Sequence, residues 1–348
     1  MSSVELHHKI RLANSSAYGV ALSICAVLFV GGVMLGSVYI PPHTIVAVLW
    51  GWLTGEFSTE IPASVVTIIT TIRLPRVVMV ALAGAALASS GAAYQGLFRN
   101  SLADPYIIGV AAGAGLGAIL AVAFFAGAIV AWYQLPLGAF IGALAVVVIV
   151  YVLARRHTGA ASNDLILAGV ALGALANALT TFIMMRLGRQ LSQLLGFLLG
   201  STGSVGWDAV AILAFSVMCG MALLLVAARD LNVLLFSEEQ ALYLGIHVKY
   251  IRALVIFGAT IMTATAVAFH GLIGFVGIIV PHSMRLVVGG DHRRLIPLSA
   301  IAGAAFLLFA DIVARTIMPP QELPVGIITA CCGAPFFLWQ LLARRREV

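Results

Sequence analysis

The side chains able to do chemistry are few, and their spacing says more than their number. Cys25, Cys219, Cys331 and Cys332 all lie inside apolar runs, where a thiol packs as a small hydrophobe. Neither a disulfide framework nor a metal-binding pattern can be assembled from them. His270 stands beside Gly271 with no second His or Cys at ligand spacing. The expectation is therefore a packed imidazole, with a cavity-lining role as the functional alternative. His282 and His292 fall at the end of an apolar run and in the loop after it, and structural roles are expected for both. Asp311 is followed four residues later by Arg315, the spacing of an ion pair on one helix face; a proton-relay acid is the alternative. The stretch GVAAGAGLGA lacks the G-x-G-x-x-G spacing of a nucleotide site and has no strand before it. Gly109, Gly113 and Gly117 instead recur every four residues, as on a helix face that another helix approaches closely. A phosphate-binding loop needs Gly-Lys-Ser/Thr, yet the only lysines are Lys9, after His8, and Lys249, after Val248. ATP hydrolysis by that route is excluded, and no other cluster of catalytic or metal-ligating groups is present in the sequence.

The elements that carry these residues are set by hydropathy. Charged residues make up 9% of the chain against 62% hydrophobic, whereas a globular domain has about 25% charged. Intervals free of Asp, Glu, Lys and Arg run from Arg11 to Glu56, Arg76 to Arg99, Asp104 to Arg155, Asp164 to Arg186, Asp208 to Arg229, Arg252 to Arg285, Arg294 to Asp311 and Glu322 to Arg344. A bilayer-crossing helix needs roughly 20 apolar residues. The third interval holds two, with Trp132, Tyr133, Gln134 and Pro136 as an interfacial turn, and the sixth holds two broken around His270 and Gly271. The expectation is an all-α polytopic membrane protein of about ten transmembrane helices in one transmembrane domain, 1–348. Strand alternation is absent, which argues against a barrel. Ala17 to Ile40 is too long for a simple signal core, so it reads as a retained first helix after a short cytoplasmic segment, 1–16.

Orientation follows from the cations. With ten spans, one side collects Lys9, Arg11, Arg99, Arg155, Arg156, Arg229, Lys249, Arg252, Arg285, Arg293, Arg294, Arg344, Arg345 and Arg346. The other collects only Arg73, Arg76, Arg186, Arg189 and Arg315. The positive-inside rule then puts both termini in the cytoplasm of a plasma membrane. The net charge of +6 is spread thinly over one membrane face, which suits anionic lipid and not nucleic acid.

One cytoplasmic stretch, 230–250, interrupts the membrane pattern. Ser237 with Gln240 fits a capping box, Glu238 and Glu239 suit the positive first turn, and Gly245 fits the residue past the end. A short helix from Glu238 to Leu244 is expected, with Ala241, Leu242 and Leu244 exposed for a cytosolic partner; a helix lying on headgroups is the alternative. On the outer side, Tyr39 to Thr71 carries Pro41, Pro42, Trp50, Trp52 and Pro62, the composition of interfacial helices. Arg73 and Arg76 flank Leu74 and Pro75 at what reads as the outer start of the second span.

Several long blocks now fall in a familiar order: RLPR at Arg73 to Arg76; GAAYQGLFRNSLADPYIIGVAAGAGLGA from Gly91 to Ala118; LILAGVALG from Leu165 to Gly173; IGFVGIIVPHSMRL from Ile273 to Leu286; DHRRLIP from Asp291 to Pro297; and ELPVGIITACCGAPFFLWQLL from Glu322 to Leu342. On these blocks the sequence resembles the FecCD-type permeases of type II ABC importers, which carry iron-siderophore complexes, haem and cobalamin. The resemblance implies a homodimer of ten-helix subunits, two cytoplasmic ATPase subunits that hold the ATP and Mg, and an extracytoplasmic binding protein that delivers cargo. This chain would hold no cofactor or metal itself. The family pattern implies binding-protein docking at Arg73, Arg76 and Arg315, and ATPase coupling through Ser237, Glu238, Glu239, Gln240, Ala241, Leu242, Leu244 and Gly245. It also implies a cytoplasmic gate near Ser162 and Asn163, with His270 as a candidate lining residue. The chain departs from the pattern at Asn100-Ser101, where Asn-Pro is usual, and at His270, where a small residue is more common. Among cargoes, a ferric siderophore is expected on breadth of use alone. The competing class is an ion-gradient-driven carrier, which would be expected to bury several ionisable residues, and here only Asp311 qualifies.

Overall fold

The computed structural model describes residues 3–36, 38–55, 61–124, 133–158, 162–186, 191–201 and 206–344. Its helices, in chain order, are α1 (Ser3–Met34), α2 (Pro42–Thr54), α3 (Ala63–Thr67), α4 (Leu74–Leu97), α5 (Val110–Phe124), α6 (Gln134–Thr158), α7 (Ser162–Met184), α8 (Leu191–Leu198), α9 (Trp207–Leu234), α10 (Glu238–Tyr243), α11 (Val248–His270), α12 (Val276–Val288), α13 (His292–Thr316) and α14 (Val325–Arg344). No strand occurs among the described residues. Seven helical stretches are long and apolar enough to cross a membrane, and α5, α12 and α14 are shorter apolar helices. Together they make the ten apolar helices of a polytopic membrane protein.

The centre is α4, which is buried along most of its length and packs against α9, α11, α12 and α13. Small residues make this possible, because lipid supplies no hydrophobic drive and helices associate by close backbone approach. A Cβ on Gly84 would lie 2.2 Å from the Gly303 carbonyl oxygen, and one on Gly91 would lie 1.9 Å from that of Gly277. The Gly113 and Gly117 stripe does the same work between α5 and α6, against the carbonyls of Gly142 and Gly138. Two polar contacts join α4 to α11 in this core: Tyr94 Oη meets Thr260 Oγ1 at 3.1 Å, and Ser90 Oγ donates to the Ala259 carbonyl at 3.2 Å.

Between α11 and α12 the chain is irregular from Gly271, whose φ is +70°. Irregular backbone at membrane depth survives only where protein satisfies it. Tyr106 Oη does so here, donating to the Ile273 carbonyl at 3.0 Å and accepting from the Ile273 amide at 3.2 Å. The Leu272 amide donates to the Phe197 carbonyl at 3.1 Å. The Asn100-Ser101 loop also stays ordered without its proline, because Asn100 Oδ1 accepts from the Leu102 amide and Asp104 Oδ1 from the Tyr106 amide.

The outer start of the second span differs from expectation. The helix does not begin at Pro75. It begins at Ala63 and continues through a π-helical segment, Ile68–Arg73, directly into α4. Widening the turn lets the Leu74 amide reach the Ile69 carbonyl, so a proline is tolerated inside a continuous helix. Of the segment expected to be interfacial, α2 fits, with Trp50 and Trp52 exposed. Trp52 stacks on Trp207 at 5.8 Å, and Trp207 Nε1 donates to the Thr70 carbonyl.

Candidate functional site: a coupling helix and an outer arginine cluster

At the cytoplasmic end, α10 forms as the capping pattern requires. Ser237 is extended and its hydroxyl accepts from the Gln240 amide at 3.0 Å, a cap worth about 1 kcal/mol. Gly245 closes the helix at φ +77°, a left-handed position that glycine adopts without strain. Glu238 does more than suit the helix dipole. Its carboxylate lies 2.7 Å from the Arg252 guanidinium at the base of α11 and 3.7 Å from that of Arg99 in the loop after α4. Thus α10 is tied to α11 and to the loop after α4. Glu239 and Gln240 are exposed.

The helix spans Glu238–Tyr243 with Leu244 as its cap, as expected, and one detail corrects the sequence reading. Ala241 is fully buried against the protein, since the i,i+3 geometry of so short a helix turns it inward. The apolar tip that remains outside is Leu242, Tyr243 and Leu244, with Tyr243 90% exposed. Nothing in the spacing had singled out Tyr243.

Near α10, the Asp291 side chain caps α13. It accepts from the Arg293 amide at 3.1 Å and from Asn232 Nδ2 at 2.6 Å, and pairs with the Arg293 guanidinium at 3.0 Å. Partial burial alone would raise its pKa, but the hydrogen bonds from Arg293 and Asn232 outweigh that and hold it at about 2. Ser162 and Asn163 occupy the first turn of α7, where Ser162 is half-buried and Asn163 exposed. His270 is buried at the end of α11, so within one chain its ring faces protein and not an open surface.

At the outer end, the three arginines converge, and their partners were invisible in sequence. Because Arg73 and Arg76 sit inside a helix and not at its start, they reach inward. Arg73 donates to the carbonyls of Val33 and Met34 at 2.7 and 2.9 Å, and to that of Val38. Arg315 donates to the carbonyls of Gly32 and Leu35, both at 3.0 Å. These two arginines therefore satisfy carbonyls left open at the C-terminus of α1. Arg315 also pairs with Asp311 at 2.9 Å, as its spacing implied. Arg76 bridges Asp311 at 3.0 Å and Glu322 at 2.8 Å. The expectation that Arg73 and Arg76 offer free guanidiniums to the outside is corrected: both are engaged within the chain, and Arg76, with its side chain 15% exposed, is the more open. Asp311 is held between two arginines, a structural ion pair with a second cation that sequence spacing did not reveal.

The comparisons with known proteins agree with this architecture. The FecCD transport family model matches residues 24–343. The cobalamin import system permease protein BtuC of Halobacterium salinarum is 45% identical over 288 residues, covering 83% of this chain and 76% of that protein. The hemin transport system permease protein HmuU of Yersinia pestis is 37% identical over 334 residues, 94% of this chain and 96% of that one. A solved inward-facing conformation of a metal-chelate type ABC transporter superposes with a TM-score of 0.81 at 29% identity, covering 93% of this chain and 97% of that one. The chain therefore belongs to the FecCD transport family and is the multi-pass membrane permease subunit of a metal-chelate type ABC importer.

Proposed function

We propose that two copies of this chain form the translocation pathway for a metal-centred tetrapyrrole, a corrinoid first and haem second. Cytoplasmic ATPase subunits drive it and an extracytoplasmic binding protein supplies the cargo. The observation that carries the energy source is α10: a capped, ion-paired helix with an apolar tip at the cytoplasmic end of a chain that has no phosphate-binding lysine. Leu242, Tyr243 and Leu244 suit an apolar cleft on an ATPase subunit. The Glu238 pairs to Arg252 and Arg99 give a rigid path by which movement of that subunit shifts α11 and the loop after α4. Dimerisation is supported by α7 and α14, whose Leu167, Val170, Phe182, Leu338 and Trp339 are exposed along faces apolar enough to meet another helix. The gate at Ser162 and Asn163 would then lie at the cytoplasmic mouth.

Docking of the binding protein is assigned to the outer cluster in a revised form. Arg73 and Arg315 hold the platform, and Arg76 with its neighbour Glu322 presents it. The cargo reading departs from the siderophore expected on breadth of use, because the relatives described above are named for cobalamin and hemin. The test is uptake by vesicles carrying the chain with its ATPase and binding protein, offered cyanocobalamin, haemin and a ferric siderophore separately. The reading expects saturable uptake of a tetrapyrrole; uptake of the siderophore alone would overturn it.

A further inference from the structure

A groove of about 1000 Å³ runs between α1, α12 and α13, lined by Val20, Val27, Met284, Ala302, Phe306 and Phe309 among others. Its walls are almost wholly apolar, and its length is informative. The lining positions run from Ser16 to Leu28 on α1 and from Leu298 to Phe309 on α13, about 18 Å at 1.5 Å per residue. That is close to the depth of one bilayer leaflet, about 15 Å. Since α1 enters from the cytoplasm and α13 starts there, the groove lies in the inner leaflet.

Its cytoplasmic mouth carries a positive excess, with Arg293 and Arg294 set against the single carboxylate of Asp291. Arg294, Leu298, Ala302, Ala305 and Phe309 follow one another at helical spacings of three and four, so Arg294 heads the same face of α13 that lines the groove. Tyr18, next to the lining residue Ala17 on α1, donates its hydroxyl to the Arg294 carbonyl at 2.8 Å and fixes that mouth. The adjacent Arg293 is engaged by Asp291, whereas the exposed Arg294 guanidinium pairs with no described carboxylate. An apolar slot one leaflet deep with a cation over its opening matches an anionic phospholipid, acyl chain inside and phosphate at the arginine.

We propose that this groove is a selective site for an anionic phospholipid of the cytoplasmic leaflet. The test places a reporter tryptophan in the groove, Phe306→Trp, and takes its emission as the difference from the parent protein in discs. Quenching is compared for brominated phosphatidylglycerol and brominated phosphatidylcholine. The expected result is about fivefold preference for the anionic lipid, the worth of one Arg at an anionic surface, about 1 kcal/mol. Arg294→Gln should abolish that preference, and Ala302→Leu should reduce quenching by both lipids. Equal quenching by the two lipids would reduce the site to ordinary annular lipid. An added tryptophan that neither lipid quenches would mean that protein covers the groove. Either result overturns the proposal, and normal ATPase association by each variant shows that it is folded.

Discussion

Replacing Asp311 by asparagine takes one negative charge from a position where three arginines converge. The carboxylate is 1% exposed and touches the Arg76 guanidinium at 3.0 Å and the Arg315 guanidinium at 2.9 Å. Removing one partner of such a pair leaves buried charge uncompensated, which typically costs about 3–5 kcal/mol. Here the loss belongs near the lower end, about 3 kcal/mol, because Arg76 keeps Glu322 and Arg315 keeps the Gly32 and Leu35 carbonyls. Unfolding in mixed micelles, followed by far-ultraviolet circular dichroism, gives the magnitude. The double variant Asp311→Asn, Arg76→Gln removes the stranded cation as well, so it should recover at least about 1 kcal/mol relative to the sum of the single changes. A loss below about 0.5 kcal/mol for Asp311→Asn, the size of an ordinary surface change, would refute the reasoning. So would strict additivity in the double variant.

Leu242→Asp puts a carboxylate into the apolar tip of α10 and should abolish co-purification of the ATPase subunit or its coupling to transport; normal transport would leave α10 as a helix resting on lipid. Cysteines at Asn163 should cross-link two copies of the chain, with a yield that changes with nucleotide, as read on non-reducing gels. Arg76→Gln should weaken binding-protein affinity most at low salt, whereas Arg186→Gln, outside the cluster, should not. Asp291 has its pKa lowered to about 2 in the fold against about 3.9 unfolded, so its stabilisation is complete above about pH 4 and is lost as pH falls towards 2. The stability deficit of Asp291→Asn near neutral pH should accordingly shrink across that window in acid titrations.

The legible parts of this fold were those written in local spacing. Uncharged intervals marked the ten spans, the Gly109, Gly113 and Gly117 period marked the α5 contact face, and Ser237 with Gln240 marked the cap of α10. The Asp311 and Arg315 pair was readable because four residues make one helical turn. Arg76, 235 positions from Asp311, had no local signal, and neither did the carbonyls of α1 that Arg73 and Arg315 satisfy. Pro75 misled because a proline beside two arginines resembles a helix start, yet the π-helical turn before it absorbs the lost donor. Ala241 misled because a six-residue helix on a protein surface buries one side, and which side depends on α9 and α11.

The energy source is tested most directly by uptake into vesicles that hold the chain, its ATPase subunit and ATP inside, with the charged binding protein outside. The account predicts accumulation that persists when proton and sodium gradients are collapsed by ionophores and stops when the ATPase subunit is omitted. Accumulation by the chain alone, driven by an imposed ion gradient, would contradict it.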